Sequence, residues 1–385
     1  MTFEFFNTPR IVFGRGVVSR LAETVRALGR KALVVFNGGA EPRVVDLLAS
    51  GGVGCVSLRQ SGEPTVEHVI HGVELARHEN CDVLVGLGGG SGIDAAKAIA
   101  GVLGSGGLPL DYMEVIGRGQ PLTRPAMPWV AVPTTAGTGA EVTRNAVIGD
   151  PQRRFKASLR SELLLPRVAL VDPELGVDVP PEVTARSGMD ALCQLIESYT
   201  SKNAEPITDA LARHGIDLAA RSLRRAVADG NDLDAREDMA LAALLSGICL
   251  TNAGLGAVHG FAAPLGANFL VPHGTVCAAL LPHVMAVNIA ALAAQSPQHP
   301  VLARYSDVGR ALVAGSRGHE SATDAAIGAA ASLVRDLRIP PLGQFGITQQ
   351  HVPEMVALAK KASSMRYNPV ALSDDALAGV LRAAI

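Results

Sequence analysis

The chain has 385 residues, of which 48% are hydrophobic and 18% charged, the balance of a folded protein with ample apolar surface to bury. That length is about twice what one hydrophobic core usually supports, so two domains are expected. The formal net charge of -2 and the lack of a Lys/Arg-rich run argue against a nucleic-acid partner, which requires a basic surface.

The start of the chain and its cysteines indicate a cellular compartment. The sequence MTFEFFNTPRIVFGRG lacks the basic start and apolar stretch of a secretory signal, and no run approaches the roughly 18 apolar residues of a membrane span. The five cysteines are widely scattered and form no CxxC pair, so we expect reduced, mostly buried thiols rather than disulfides or a thiolate zinc site. These features predict a cytoplasmic protein with no membrane contact.

Short apolar runs alternate with helical patterns through the first 175 residues. Segments such as 65–78 and 91–102 carry apolar residues at three- and four-residue spacing, which predicts helices. The rhythm predicts an α/β domain whose largely parallel sheet is covered by helices on its faces. The predicted strands are KALVVF at 31–36, CVSL at 55–58, DVLVGLG at 82–88, WVAVP at 129–133 and RVALVD at 167–172.

Beyond Pro180-Pro181, long Ala/Leu-rich patterns replace the strand-like runs. They predict a helical domain, with boundaries of 1–180 for the α/β domain and 181–385 for the helical one. Gly and Pro concentrate around 254–274 and 337–346, which predicts loops there. The predicted helices are 182–200, 206–228, 235–252, 321–336 and 371–384.

Two glycine-containing turns follow predicted strands. In VLVGLGGGSGIDAAKAIA (83–100), a strand is followed by a run of glycines and a helix that begins near Ser91, and such a junction can bind phosphate. The run lacks the GxGxxG spacing of the common dinucleotide-binding motif, and a tight turn without a ligand is the alternative. PTTAGTGAEVT (133–143) has hydroxyls and backbone amides that could bind a cofactor. The alternative is a turn that ends an edge strand and binds nothing. Ligands of α/β sheets gather at the carboxyl ends of strands, so the pair favours a cofactor cradle.

Four side chains are candidates for a metal site. Asp190 and Gln194 stand four residues apart on one face of a predicted helix, and His259 and His273 each precede a glycine in an apolar region predicted as a loop. A lone core histidine is usually only hydrogen-bonded. Together the four make a plausible nitrogen and oxygen site for zinc or ferrous iron.

Four motifs in order resemble those of the iron-containing (group III) alcohol dehydrogenases. The similarity extends from TPRIVFG near the N-terminus to Asn368-Pro369 near the C-terminus. It implies a Rossmann-like dinucleotide-binding domain followed by a helical metal- and substrate-binding domain, the dehydroquinate synthase-like architecture. It also implies a homodimer formed through an N-terminal strand, for which TFEFF at 2–6 is the candidate. The motifs are GGGSGIDAAK at 88–97, PTTAGTGAEVT at 133–143, MDALCQLIESY at 189–199 and VHGFAAPLGANFLVPHG at 258–274.

The resemblance also implies roles for individual residues. Asp190, His259 and His273 fall on three of the family's four metal-ligand positions, and Gln194 stands at the fourth, where relatives typically have histidine. A glutamine oxygen is a weaker donor than imidazole, so a lower affinity or a changed metal preference is expected. Ala263 replaces a histidine that many relatives carry near the substrate, so the alcohol proton must leave through water or the nicotinamide ribose.

The implied cofactor contacts lie in the α/β domain. Asn37 stands where relatives place an aspartate, whose carboxylate would bind the ribose 2′-hydroxyl of NAD and repel the 2′-phosphate of NADP. The neutral asparagine removes that repulsion, so the expected cofactor is NAD or NADP. The remaining contacts implied by the resemblance are Gly89, Gly90, Ser91 and Asp94 at the pyrophosphate turn, Thr134, Thr135 and Thr138 along the cofactor, and Lys156 near a ribose.

The predicted function is an NAD(P)-dependent oxidoreductase that interconverts a small alcohol and its aldehyde or ketone by hydride transfer. Asp190, His259 and His273 would hold Fe²⁺, or Zn²⁺, as a Lewis acid. A metal-free reductase resembling maleylacetate reductase is an alternative that Gln194 and Ala263 favour, whereas a buried Asp190 without a cation disfavours it. A lyase resembling dehydroquinate synthase and a non-catalytic binding protein are further alternatives.

Overall fold

The computed structural model describes residues 2–153, 155–313 and 322–385. The chain forms two compact units, which divide between Val179 and Pro180. The N-terminal unit comprises residues 6–179. The helical unit comprises residues 180–385 together with the described residues before Phe6.

A six-stranded parallel sheet forms the centre of the N-terminal unit, in the spatial order β1-β8-β5-β4-β2-β3. β6 and β7 pair separately as an antiparallel hairpin that the sequence patterns do not predict. The predicted α/β fold with a largely parallel sheet is confirmed. The strands are β1 (Ile11–Phe13), β2 (Lys31–Phe36), β3 (Gly54–Arg59), β4 (Val83–Gly88), β5 (Trp129–Pro133), β6 (Asn145–Asp150), β7 (Phe155–Arg160) and β8 (Val168–Val171).

Helices cover both faces of this sheet. They are α1 (Leu21–Arg26), α2 (Glu41–Ser50), α3 (Val66–His78), α4 (Gly90–Ser105) and the short α5 (Pro109–Tyr112). α3 and α4 pack on one face around Leu84, and α1 and α2 pack on the other around Val85. Every residue of β4, β5 and β8 is buried, which explains why these strands are apolar throughout rather than alternating.

The helical unit consists of long helices. The five predicted helices correspond to α6, α7, α8, α12 and α14, and residue 321, where one prediction begins, lies outside the described residues. The helices are α6 (Pro181–Thr200), α7 (Pro206–Ala228), α8 (Leu233–Ala253), α9 (Ala257–Asn268), α10 (His273–Gln295), α11 (Pro300–Leu312), α12 (Ala322–Asp336), α13 (Val352–Ala359) and α14 (Asp374–Ala384). Short 3-10 turns occupy Val17–Arg20, Ala140–Val142, Glu162–Leu164, Pro173–Gly176, Leu342–Phe345, Gln349–His351 and Ser363–Tyr367.

The loop predicted around 254–274 is wrong, because α9 and the start of α10 occupy most of it. Val258, Phe261 and Leu265 are fully buried at helical spacing, so tertiary packing outweighs the low helix propensity of the glycines and of Pro264. The Asn268 side-chain amide donates to the Pro264 carbonyl and supports the last turn. His259 is therefore fixed on a helix rather than on a loop.

α10 is also long and apolar enough to cross a membrane, but 61% of its apolar window is buried inside the protein. Burial of this kind is typical of a core helix. The five cysteines are free thiols, four of them buried, as the sequence predicts.

Candidate metal centre and cofactor turn

Four potential metal ligands converge in the helical unit. Asp190 lies on α6, His259 on α9, and His273 and Cys277 on α10, and their donor atoms all lie within 4.8 Å of one another. Asp190 Oδ1 is 3.3 Å from His259 Nε2 and 3.6 Å from His273 Nε2. Ligands bound to one ion at about 2.0–2.2 Å are separated by comparable distances, so these donors fit a metal.

Close helix packing brings these side chains together. A side chain on Gly274 would collide with the main-chain carbonyl of Arg186, so this glycine lets the start of α10 approach α6. His273 and Cys277 lie four residues apart and therefore share one face of α10. The sequence patterns do not identify Cys277 as a metal ligand. Its four-residue spacing from His273 is, however, the same as the spacing between Asp190 and Gln194.

Glu197 holds His259 from behind the cluster. One carboxylate oxygen, Oε2, is 2.6 Å from His259 Nδ1, and the other, Oε1, accepts from the Val258 amide at 2.7 Å. The carboxylate accepts, so Nδ1 carries a proton, and Nε2, which faces Asp190, is the nitrogen that can bind a metal once its own proton is displaced. Sequence reasoning misses Glu197, whose signal is a seven-residue spacing from Asp190 along one face of α6.

Replacing Glu197 with glutamine is expected to weaken metal binding by about 10- to 100-fold. In this variant the glutamine oxygen accepts from the Val258 amide, so the glutamine NH₂ group faces His259 Nδ1. Because NH₂ donates, Nδ1 must lose its proton and accept, and the imidazole proton then lies on Nε2, where it blocks metal binding. Chelator competition would measure the affinity, with Glu182→Gln at the exposed start of α6 as the control. Equal affinities for wild type and Glu197→Gln would refute this role.

The side chain of Gln194 is engaged in hydrogen bonds with its neighbours. Nε2 donates to Asp190 Oδ2 at 3.3 Å, and Oε1 accepts from the Ser246 hydroxyl at 2.9 Å. The reverse amide orientation would place an oxygen against the carboxylate, so the chemistry of the partners fixes the assignment. In this arrangement Gln194 positions Asp190.

The charges of the cluster favour a bound cation. Burial lowers the pKa of both imidazoles, but interactions with Cys277 and Asp190 outweigh it, raising the pKa of His273 to about 9 and that of His259 well above its usual value. Burial raises the pKa of Asp190, yet the two imidazoles hold it below its usual value. A metal ion in place of the imidazole protons would meet the same need for positive charge.

The glycine-rich turn lies at the carboxyl end of β4 in the N-terminal unit. β4 ends at Gly88, whose φ of +133° favours glycine, and α4 begins at Gly90. Asn37, which follows β2, accepts from the Gly89 amide at 2.8 Å through Oδ1 and donates to Ser91 Oγ at 2.6 Å through Nδ2. Asn37, Gly89 and Ser91 thus come together, with the Asn37 amide holding the turn.

The threonine turn lies against the glycine-rich turn. The Thr134 amide donates to the Gly88 carbonyl at 2.9 Å. A Cβ on Gly89 would lie 3.2 Å from Thr135 Oγ1, and one on Gly90 would lie 2.8 Å from Thr138 Oγ1. β5 lies between β4 and β8, so the edge-strand alternative is wrong. The first amides of α4 have no acceptor within the helix, and with the close glycine backbone they fit a pyrophosphate.

Two further predicted cofactor residues have protein partners. Asp94 Oδ2 accepts from the Val147 amide at 3.0 Å, and Lys156 Nζ is 3.7 Å from Glu63 Oε2. Lys97, which sequence reasoning misses, is fully buried and lies 3.5 Å from Asp94. Its Nζ donates to Ala140 O at 2.8 Å, Thr143 Oγ1 at 2.8 Å and Asn145 O at 2.7 Å.

Glu141, also in the threonine motif, makes the stability of the protein depend on pH. Burial raises its pKa to about 7, which its backbone hydrogen bond and Lys97 only partly oppose. The folded-state pKa exceeds the unfolded one, so stability falls as pH rises from about 4.5 to 7. We expect Glu141→Gln to add about 3 kcal/mol at pH 8 and under about 1 kcal/mol at pH 5.

Thermal unfolding of Glu141→Gln and wild type from pH 5 to pH 8 would measure this difference. The exposed Glu23→Gln variant serves as the control for losing one negative charge. A difference between Glu141→Gln and wild type that does not grow with pH would contradict the expectation.

A glycine-rich turn that fits a pyrophosphate and a buried carboxylate and imidazole cluster that fits a metal are together typical of metal- and dinucleotide-dependent oxidoreductases. Residues 8–173 match the model of the iron-containing alcohol dehydrogenases, and residues 184–385 match that of the C-terminal part of the Fe-containing alcohol dehydrogenase family. The chain belongs to the iron-containing alcohol dehydrogenase family.

Individual relatives agree with the family models. The chain is 36% identical over 400 residues to 1,3-propanediol dehydrogenase of Klebsiella pneumoniae, covering all of both chains. It is 39% identical over 294 residues to NAD-dependent methanol dehydrogenase of Bacillus methanolicus, covering 74% of this chain and 76% of the relative. A crystal structure of 1,3-propanediol oxidoreductase matches all of both chains with a TM-score of 0.92 and 35% identity. The predicted family and alcohol dehydrogenase or reductase activity are confirmed.

Proposed function

We propose that this alcohol dehydrogenase transfers a hydride reversibly between nicotinamide and the carbon of a small alcohol or aldehyde, with a divalent metal, Fe²⁺ or Zn²⁺, held by Asp190, His259 and His273. The observation that carries the proposal is the convergence of these three donors from three helices. A metal bound there supplies Lewis acidity, which stabilises an alkoxide or polarises a carbonyl. The names of the relatives, which include methanol and 1,3-propanediol dehydrogenases, support an alcohol as the substrate.

The protein's own residues define how a substrate reaches the cluster. The side chains of Asp190 and His259 are 2% and 6% exposed, whereas that of His273 is 42% exposed, so approach is from the side of His273. Ala263 lies on α9 four residues after His259 and is exposed. It has no group that exchanges protons, so the alcohol proton would leave through water or through the ribose of a bound nicotinamide nucleotide.

Turnover and chelation test the proposal together. Wild type should oxidise NADH with small aldehydes, followed by the near-ultraviolet absorbance of the cofactor, and should lose this activity after chelation and regain it with Fe²⁺ or Zn²⁺. Undiminished turnover with chelator present and no bound metal would favour the metal-free reductase instead. No turnover with a broad panel of aldehydes and ketones would contradict the proposed reaction.

For the cofactor, we propose that the turn accepts NADPH as well as NADH. Asn37 is neutral, and beside it Gly38 and Gly39 have no atom within 4 Å of an added Cβ, which leaves room for a 2′-phosphate. Asn37→Asp keeps both hydrogen bonds, because Ser91 can donate, and adds a charge that repels phosphate. The ratio of kcat/KM for NADPH to that for NADH should fall at least about tenfold. An unchanged ratio would show that position 37 does not face the ribose.

We further propose a cytoplasmic homodimer. The free thiols suit a reducing compartment. In the segment predicted to pair between subunits, residues 2–6, Phe3 is 44% exposed. Sedimentation analysis of wild type and Phe3→Ser tests the dimer: the wild type should be dimeric and the variant should dissociate more readily.

A further inference from the structure

We infer that Cys277, and not Gln194, supplies the fourth protein ligand, which makes the centre an Asp-His-His-Cys site that prefers zinc to iron. The inference rests on the proposed metal-dependent function. It concerns a residue that the family resemblance does not place among the ligands.

The position of the Cys277 sulfur is the first argument. Sγ lies 3.6 Å from His259 Nε2 and 3.6 Å from His273 Nε2. Zinc bonds are about 2.0–2.1 Å to nitrogen or oxygen and about 2.3 Å to sulfur. At tetrahedral angles, two nitrogen or oxygen ligands are then about 3.3–3.4 Å apart, and a nitrogen and a sulfur are about 3.5–3.6 Å apart. The separations from Asp190 to the imidazoles, 3.3 and 3.6 Å, also agree within about 0.3 Å. Four of the six donor separations therefore match those of zinc ligands, and all six lie within 4.8 Å.

The competing ligand, Gln194, has other partners. Its oxygen accepts from Ser246, and its nitrogen donates to Asp190. Coordination through the Gln194 oxygen would require turning the side-chain amide away from Ser246, which breaks a hydrogen bond inside a buried region. Gln194 is better placed to position Asp190 than to ligate.

Charge and ligand softness give the same answer. A carboxylate and a thiolate together neutralise a divalent cation, whereas a carboxylate with a neutral amide leaves a net positive charge in a buried site. Thiolate is a soft donor that suits zinc, and imidazole and carboxylate complete a common zinc set. The chain thus replaces the family's histidine at 194 with a sulfur ligand from a different helix.

Spectroscopy of the metal-loaded enzyme tests the inference without relying on activity. Cobalt-substituted wild type should show a thiolate-to-cobalt charge-transfer band in the near ultraviolet, and X-ray absorption of the zinc enzyme should show one sulfur at about 2.3 Å beside nitrogen and oxygen neighbours. Both measurements use the wild-type protein, so they do not depend on a variant that folds.

Variants then assign the sulfur to a residue. Cys277→Ser should lose the band and bind zinc at least about tenfold more weakly, while Cys193→Ser, a matched neighbouring cysteine, should keep the band. Near-equal affinity for Zn²⁺ and Fe²⁺ in wild type, or a metal-loaded wild type without the sulfur signal, would overturn the inference and leave the proposed function standing. Failure to bind any divalent metal would overturn both.

Discussion

Asp190→Asn is expected to deprive the enzyme of its metal and to lower turnover at least about 100-fold, since Lewis acidity is worth several kcal/mol and each 1.36 kcal/mol is about tenfold in rate. The carboxylate is 2% exposed and lies within 3.6 Å of both imidazoles. Asparagine keeps the shape and an acceptor for Gln194 but removes the negative charge. The cluster then has no carboxylate to offset a divalent cation.

Metal analysis and turnover of the same preparation would measure both effects. Asp238→Asn is the matched control, because Asp238 also lies on a long helix of this unit but pairs with Arg221. NADH binding should be retained in both variants, since the glycine-rich turn belongs to the other unit. If Asp190→Asn kept stoichiometric metal and full turnover, the assignment of the centre would be wrong. If wild type lacked metal and both proteins were equally active, the metal-free reductase would be correct.

The regular elements of this chain could be predicted because their signals are local. Strand KALVVF matches β2 at both ends, and the pattern at 206–228 matches α7 at both ends. The sequence does not predict α9, because its glycines and Pro264 indicate a loop, whereas the apolar spacing of Val258, Phe261 and Leu265 indicates a helix. That spacing is visible in the sequence, but only burial by neighbouring helices decides which signal prevails.

The candidate metal site could be predicted only in part, for a reason of geometry. Asp190 and His259 are recognisable from the motifs, and their convergence across different helices is a tertiary feature. Cys277 carries no motif of its own, and without a CxxC pair the sequence argues against a thiolate zinc site. A single cysteine becomes a potential ligand only when the fold brings imidazoles to within 3.6 Å of its sulfur.

The glycine-rich turn shows the same limit. The position of Asn37 after β2 suggested contact with the ribose, and the structure adds hydrogen bonds from its side chain to Gly89 and Ser91. Such bonds connect residues more than fifty positions apart, so spacing alone does not reveal them. Adjacent parallel strands bring the two segments together at their carboxyl ends.

Gly88→Ala is expected to weaken NADH binding at least about tenfold and to destabilise the N-terminal unit by about 1–3 kcal/mol or more. Gly88 adopts a φ of +133°, which L-residues rarely adopt, and an added Cβ would collide with both the side-chain oxygen and the carbonyl of Asn37. Relief of that collision must move either the turn or the Asn37 carbonyl at the end of β2. Both changes displace the Gly89 amide, which Asn37 holds at 2.8 Å.

Fluorescence titration with NADH and chemical unfolding would measure the two effects separately. Gly54→Ala is the matched control, because Gly54 lies at the start of the edge strand β3 of the same unit, has no positive φ, and its added Cβ would be 3.6 Å from the nearest atom, Lys31 Cγ. Wild-type affinity in Gly88→Ala would show that the turn does not cradle the cofactor, whatever its stability. Loss of NADH affinity with an unchanged metal content would show that the substitution acts on the glycine-rich turn alone. General unfolding of the chain would abolish both NADH binding and metal binding.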